Sequence, residues 1–245
     1  MIGVYLRRGL LAGLVAGLLA GLFGFTFGEP TLERAVELES RAQGDEHFRA
    51  EETFSRDEQK AGLFLATALY GAAMGVAFGL VSVYMEGRVA SRSRWARSLT
   101  LAAAIFAGAV LLPFLKYPPN PPGVGADPTT LTARTTAYLA MVVLSLLAVL
   151  FVWRLSREFR DLAAPARHLL VGAVLLSLWA LLLILLPSFG GVGEAPADLV
   201  WSFRLSALGT QTVLWAGIGC IFGLLNERAE ARDASNAVVA EGEPR

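Results

Sequence analysis

The chain has 245 residues, 55% of them hydrophobic and only 17% charged, with a mean hydropathy of +0.54, which sets it apart from soluble domains of that length. Lysine plus arginine equals aspartate plus glutamate at 21 each, so global charge points to no nucleic-acid partner. A single cysteine, Cys220, excludes an internal disulfide and a multi-thiolate metal centre.

Six runs without Asp, Glu, Lys or Arg cover 9–28, 61–85, 98–115, 135–153, 169–193 and 205–226. Each is long enough for a helix to cross a bilayer core of ~30 Å. The expected fold is therefore all-α: a polytopic membrane bundle of six helices over 1–226, with Pro/Gly-rich outer loops and a polar, disordered tail over 227–245. Arg7 and Arg8 precede the first run as in a secretory signal, but the run is too long for one, and FTFGEP offers no small-x-small cleavage site. The first helix carries Gly9, Gly13, Gly17 and Gly21 at every fourth position. Such a stripe lets helix backbones approach closely in lipid.

The segment 29–60 follows as an outer acidic insertion, with ten acidic residues. If its start is helical, Glu29, Glu33 and Glu37 share one face, and Pro30 suits a first turn. With His47 they are the candidate metal ligands of an outer vestibule. Ion pairs to Lys116, Arg134 or Arg204, or plain solvation, produce the same pattern. The second helix repeats the small-residue stripe at Gly71, Gly75 and Gly79, either for packing on the first helix or as a docking face for a second copy of the chain.

After the third run comes PFLKYPPNPPGVGADPTTLTAR. Pro118, Pro119, Pro121 and Pro122 exclude helix and favour a stiff, polyproline-like arch around Lys116, Tyr117 and Asn120. Gly123 and Gly125 then permit a sharp return towards Arg134. Lys116 is expected to bridge to Glu29 or Asp127. A partial repeat links Leu111-Leu112-Pro113, Gly123-Val124-Gly125 and Arg134 to Leu185-Leu186-Pro187, Gly191-Val192-Gly193 and Arg204, as if helices three–four and five–six were related hairpins. Tyr70, Tyr138, Ser145, Thr210, Gln211 and Thr212 are the polar groups available to line a path. Trp95, Trp153 and Trp201 fit an interfacial aromatic belt, while His168 and the helix methionines read as boundary and packing residues.

With the N-terminus inside, thirteen Lys and Arg fall on the inner side and eight on the outer, five of those eight within the acidic 29–60 segment. The asymmetry places both termini in the cytoplasm and the protein in the plasma membrane. No catalytic triad, HExxH or P-loop is present, so a non-enzyme is expected.

PFLKYPPNPPGVG, the Arg134-Thr135 pair, FGEP at the end of the glycine-striped helix and EGR at 86–88 together make the chain resemble the CbtA family of predicted cobalt transporter subunits. The resemblance implies a membrane permease component working in cobalt supply for cobalamin synthesis, alongside a small histidine-bearing single-span subunit, CbtB. Members are described with fewer spans than the six counted here. Cobalt(II) takes imidazole nitrogen and carboxylate oxygen. The chain has two histidines, His47 and His168, and no carboxylate inside its uncharged runs. Hence either carbonyls and hydroxyls line the path or a partner adds ligands; cobalt would pass through as cargo, with no permanently bound cofactor. The alternative function is a non-transporting membrane scaffold assembled through the glycine stripes.

Overall fold

The computed structural model describes residues 2–43, 55–88, 93–125, 128–193 and 195–242. In chain order, α1 (Ile2–Phe23) passes through a π-helical turn (Gly24–Gly28) into α2 (Glu29–Gln43), and α3 (Arg56–Met85) follows. Then α4 (Arg94–Phe106) passes through a second π turn (Ala107–Leu111) into α5 (Leu112–Lys116). A 3-10 turn (Pro128–Thr130) opens α6 (Leu131–Glu158), and α7 (Ala164–Leu185) and α8 (Ala197–Gly242) complete the chain, with no strand among the described residues. Six helical stretches are long and apolar enough to cross a membrane: Ile2–Glu39, Glu58–Met85, Arg94–Lys116, Leu131–Glu158, Ala164–Leu185 and Ala197–Asp233. They coincide with the six uncharged runs, and the chain is a multi-pass membrane protein.

Two prolines that sequence reasoning treats as helix breakers are absorbed instead. Pro30 and Pro113 each follow a π turn by two residues. Proline lacks an N–H and crowds the carbonyl four residues back. Widening the preceding turn relieves that crowding, and the Leu112 N–H reaches five residues back to the Ala107 carbonyl. The first helix therefore does not end at FGEP but continues as α2. At α3 the start is fixed by a capping box, in which the Ser55 side chain accepts from the Glu58 N–H and the Glu58 carboxylate accepts from the Ser55 N–H.

The contacts divide the chain into two compact units, one formed by Met1–Thr26, Glu52–Ala103 and Gly209–Arg245, the other by Phe27–Glu51 and Ala104–Leu208. In the first, the glycine stripes of α1 and α3 lock together antiparallel. Gly9 faces Gly75, Gly13 faces Gly71, and Gly17 faces Thr67. A β-carbon on Gly75 would lie 2.7 Å from the Gly13 Cα, and one on Gly71 would lie 2.6 Å from the Gly17 Cα. The stripes are thus consumed inside one chain and do not form an outward docking face. The C-terminal half of α8 closes the unit with three more glycines: β-carbons on Gly217, Gly219 and Gly223 would sit 2.9 Å from Ala16, 2.7 Å from Ala102 and 2.8 Å from Trp95.

The second unit is organised on α6, whose Ala137, Met141, Ser145, Ala148 and Val152 form a buried stripe at helical spacing. The second π turn packs here, with Gly108 against Leu146 and Val149. By contrast α7 is apolar all round and scarcely buried; Leu169 and Ile184 are 75% and 81% exposed, as suits a helix facing hydrocarbon.

Residues 227–242 correct the expectation of a disordered tail, since α8 continues through them. The stretch NERAEARDASNAVVAEG is rich in alanine, glutamate and arginine, all strong helix formers. Glu230 also accepts from the Arg94 guanidinium at 2.8 Å, tying this extension to the start of α4.

Candidate functional site

The proline segment is held at both feet by chemistry that proline itself creates. At the first foot, α5 ends at Lys116, whose ammonium donates to the Leu183 carbonyl at 2.7 Å and the Ser188 hydroxyl at 3.1 Å. The residue four positions beyond Leu183 is Pro187, which has no N–H to return to that carbonyl. Lys116 supplies the missing donor and places its charge at the negative end of α7. The expected bridge from Lys116 to Glu29 is therefore replaced by a helix cap, and Asp127 lies outside the described residues. Tyr117 reinforces the joint: its hydroxyl donates to the Pro187 carbonyl at 2.6 Å. Burial pushes the Tyr117 phenol above its ordinary pKa, so it remains a donor over a wider pH range.

Beyond Tyr117 the chain runs without helix through Pro118, Pro119 and Asn120 to a turn closed by the Val124 N–H on the Pro121 carbonyl at 3.2 Å. Pro122 and Gly123 occupy its centre, and Gly123 has φ +70°, the residue pattern of a type II turn. Pro121 is fully buried. At the second foot, the Arg204 guanidinium donates to the Asn120 side-chain oxygen at 2.8 Å. Gly125, at φ +140°, leaves room between the Asn120 amide and the Arg134 guanidinium, 3.4 Å and 3.7 Å from where its β-carbon would be. The two repeat-related arginines thus serve the same loop.

The repeat itself does not extend to backbone conformation. Leu111-Leu112-Pro113 is helical throughout, whereas Leu186 turns extended, ψ 142°, and Leu185-Leu186-Pro187 ends α7. Phe-Leu-Lys after Pro113 can go on as helix, but Ser-Phe-Gly-Gly after Pro187 favours leaving it.

The acidic segment meets the arch through a residue the charge pattern did not single out. In α2, Thr31 and Ala35 are buried, and Glu39 continues that inward face at the next turn. The Glu39 carboxyl carbon lies 2.9 Å from where a β-carbon on Gly123 would be, so glycine is required there both for space and for its left-handed backbone. Glu29, Glu33 and Glu37 sit on successive turns of α2 at positions roughly opposite. Glu29 is half-buried, Glu33 and Glu37 are exposed, and Glu37 pairs with Arg41. His47 lies outside the described residues. Among the described residues no three His, Cys, Asp or Glu side chains are placed to hold one metal ion; the three glutamates form a row.

The polar helix residues are distributed over both units: Tyr70, Thr210, Gln211 and Thr212 in the first, Tyr138 and Ser145 in the second. A separate polar cluster, which sequence reasoning missed, lies in the first unit. The Tyr5 hydroxyl donates to Glu86 at 2.6 Å and accepts from Arg94 at 2.7 Å. Arg94 and Arg97 both reach the other Glu86 oxygen at 3.3 Å, and Arg8 donates to Asn226 at 2.7 Å. The available signal was Glu86 itself, an isolated carboxylate directly after an uncharged run and two helical starts away from any other acid.

A family model described as "Probable cobalt transporter subunit (CbtA)" matches residues 2–227. No curated protein and no solved structure matches the chain.

Proposed function

The chain belongs to the CbtA family, and from that membership we propose that it is the membrane-spanning component of a cobalt(II) uptake system whose mouth is formed by the arch and α2. Cobalt is the cargo, and both termini face the cytoplasm in accordance with the arginine asymmetry. The observation that carries this reading is the seating of Glu39 on Gly123, which makes the acidic helix and the arch one structure within the second unit. A row of carboxylates on successive turns raises the local concentration of divalent cations without chelating them. Selectivity for a borderline ion calls for nitrogen donors. A small histidine-bearing subunit of the CbtB type supplies them in this proposal.

The scaffold reading drew its support from outward glycine stripes, and those stripes face each other. The test is accumulation of radiolabelled cobalt in cells expressing this chain with and without a CbtB-type subunit. Replacing Glu29, Glu33 and Glu37 together by Gln should lower uptake on the order of 10-fold at trace metal, the scale of electrostatic focusing, and much less at saturating metal. No accumulation with the partner present refutes the transport assignment. Unchanged uptake of the triple variant at every concentration, at equal abundance, refutes the acidic mouth alone.

A further inference from the structure

Positions 211, 215, 218, 222 and 226 of α8 recur at three- and four-residue steps and so form one stripe. In the first unit its character changes from polar to apolar and back. At the far end, Asn226 borders a cavity of about 30 Å³ whose lining includes Tyr5, Ser82, Glu86, Arg97 and Phe222, room for roughly one water. The Ser82 hydroxyl is buried with no protein partner. Arg94 and Arg97 are both committed to Glu86, so the charges around this chamber are compensated. At the near end, the Gln211 side-chain oxygen and the Trp215 indole N–H are buried without partners. They are an acceptor and a donor one turn apart on the same face, and Trp215 is only 7% exposed. A buried donor and acceptor with no protein group to meet them call for a bridging water.

Between the two ends the stripe is dry. Ile218, Phe222 and Phe78 are 0%, 2% and 1% exposed. The Phe222 ring stands edge-on to Phe78 at 5.2 Å between centroids and meets the Tyr5 ring at 5.9 Å. From Trp215 to Phe222 the helix axis advances ~10 Å. A hydrated cation does not cross such a length of packed hydrocarbon, and apolar constrictions of this kind gate by excluding water.

We propose that this stripe is the permeation face of the first unit, with Phe222, packed on Phe78 and below Ile218, as its hydrophobic constriction, shut in this structure between a hydrated site at Gln211 and Trp215 and the Glu86-lined chamber. The species passing it is a hydrated divalent cation, and in this the inference rests on the transport reading above. Opening consists of the Phe222 ring leaving Phe78, which joins the two polar regions.

The experiment reads water access without using cobalt. In a Cys220→Ala background, Ser82→Cys reports the chamber and Gln211→Cys the far side, each probed in membrane vesicles with a charged, membrane-impermeant methanethiosulfonate added on the Glu86 side. With Phe222 intact, Ser82→Cys reacts and Gln211→Cys does not. Phe222→Ala should speed labelling of Gln211→Cys at least 10-fold, Phe222→Leu by less, and Phe222→Trp should leave it protected. The leucine variant keeps the core filled should alanine prevent folding. Gln211→Cys labelled rapidly behind an intact Phe222, or equal rates across the series at normal abundance, overturns the constriction. Cobalt flux in the same vesicles is scored separately: a Phe222→Ala variant that opens to the thiol reagent while no variant moves cobalt upholds the constriction and refutes transport.

Discussion

Lys116 and Pro187 should be energetically coupled although neither touches the other's side chain. Lys116→Met removes the donor from the Leu183 carbonyl, which Pro187 leaves without a helical partner. A hydrogen bond to a charged group contributes about 1.5–3 kcal/mol, and a cation at a helix C-terminus adds about 0.3–1 kcal/mol. Lys116 is half-exposed, so solvent screening favours the low end, about 2 kcal/mol in all. Pro187→Ala restores an N–H four residues beyond Leu183 and lets α7 take up its own carbonyl. In that background Lys116→Met should cost about 1 kcal/mol or less. Thermal or denaturant unfolding of the four proteins in detergent closes the cycle, with an expected coupling of about 1–2 kcal/mol. Lys116→Arg should retain much of the stability. Additivity within about 0.5 kcal/mol, with Lys116→Met costly in both backgrounds, would refute the orphan-carbonyl account and return Lys116 to the role of a pathway charge.

Gly13→Ala should destabilise the first unit by about 2–3 kcal/mol, as overpacking against backbone does, whereas Gly172→Ala, with nothing within 4 Å of the added methyl, should be neutral or stabilise by up to about 1 kcal/mol; equal effects in an unfolding assay would contradict the zipper. For orientation, in a Cys220→Ala background Pro119→Cys should react with an impermeant thiol reagent in intact cells and Asp161→Cys, in the loop between α6 and α7, should not. The reverse pattern would invert the topology.

The six spans and the glycine zipper were legible because each rests on a property that repeats along the chain, uncharged length in one case and a four-residue spacing in the other. Glycines at matching intervals on two consecutive helices left few better partners than each other. The fate of each proline was not legible in this way. Pro30 and Pro113 are absorbed by π turns while Pro187 ends its helix, and the difference depends on which residues follow and on what can satisfy the freed carbonyl. Charge reasoning assigned Lys116 to a carboxylate, since the orphan at Leu183 becomes relevant only when α5 and α7 end side by side. Glu39 was overlooked beside Glu29, Glu33 and Glu37 because its place on the buried face follows from Thr31 and Ala35, neither of which carries charge. The two compact units are assembled from discontinuous segments, a division invisible to composition.

The π turn at Ala107–Leu111 also acts as a phase adjustment. An α-helix advances ~100° per residue on a cylinder of ~2.3 Å radius, and a π turn accommodates one residue more than an α turn. Deleting one residue there would let the helix close as ordinary α and would rotate everything after it by that angle. The Lys116 Cα would swing ~3.5 Å around the axis, more than a hydrogen bond of 2.7 Å to Leu183 can follow. Length in this stretch is therefore angular information: the extra residue sets the azimuth at which α5 presents its terminal cation, and with it the point on α7 where the arch is pinned.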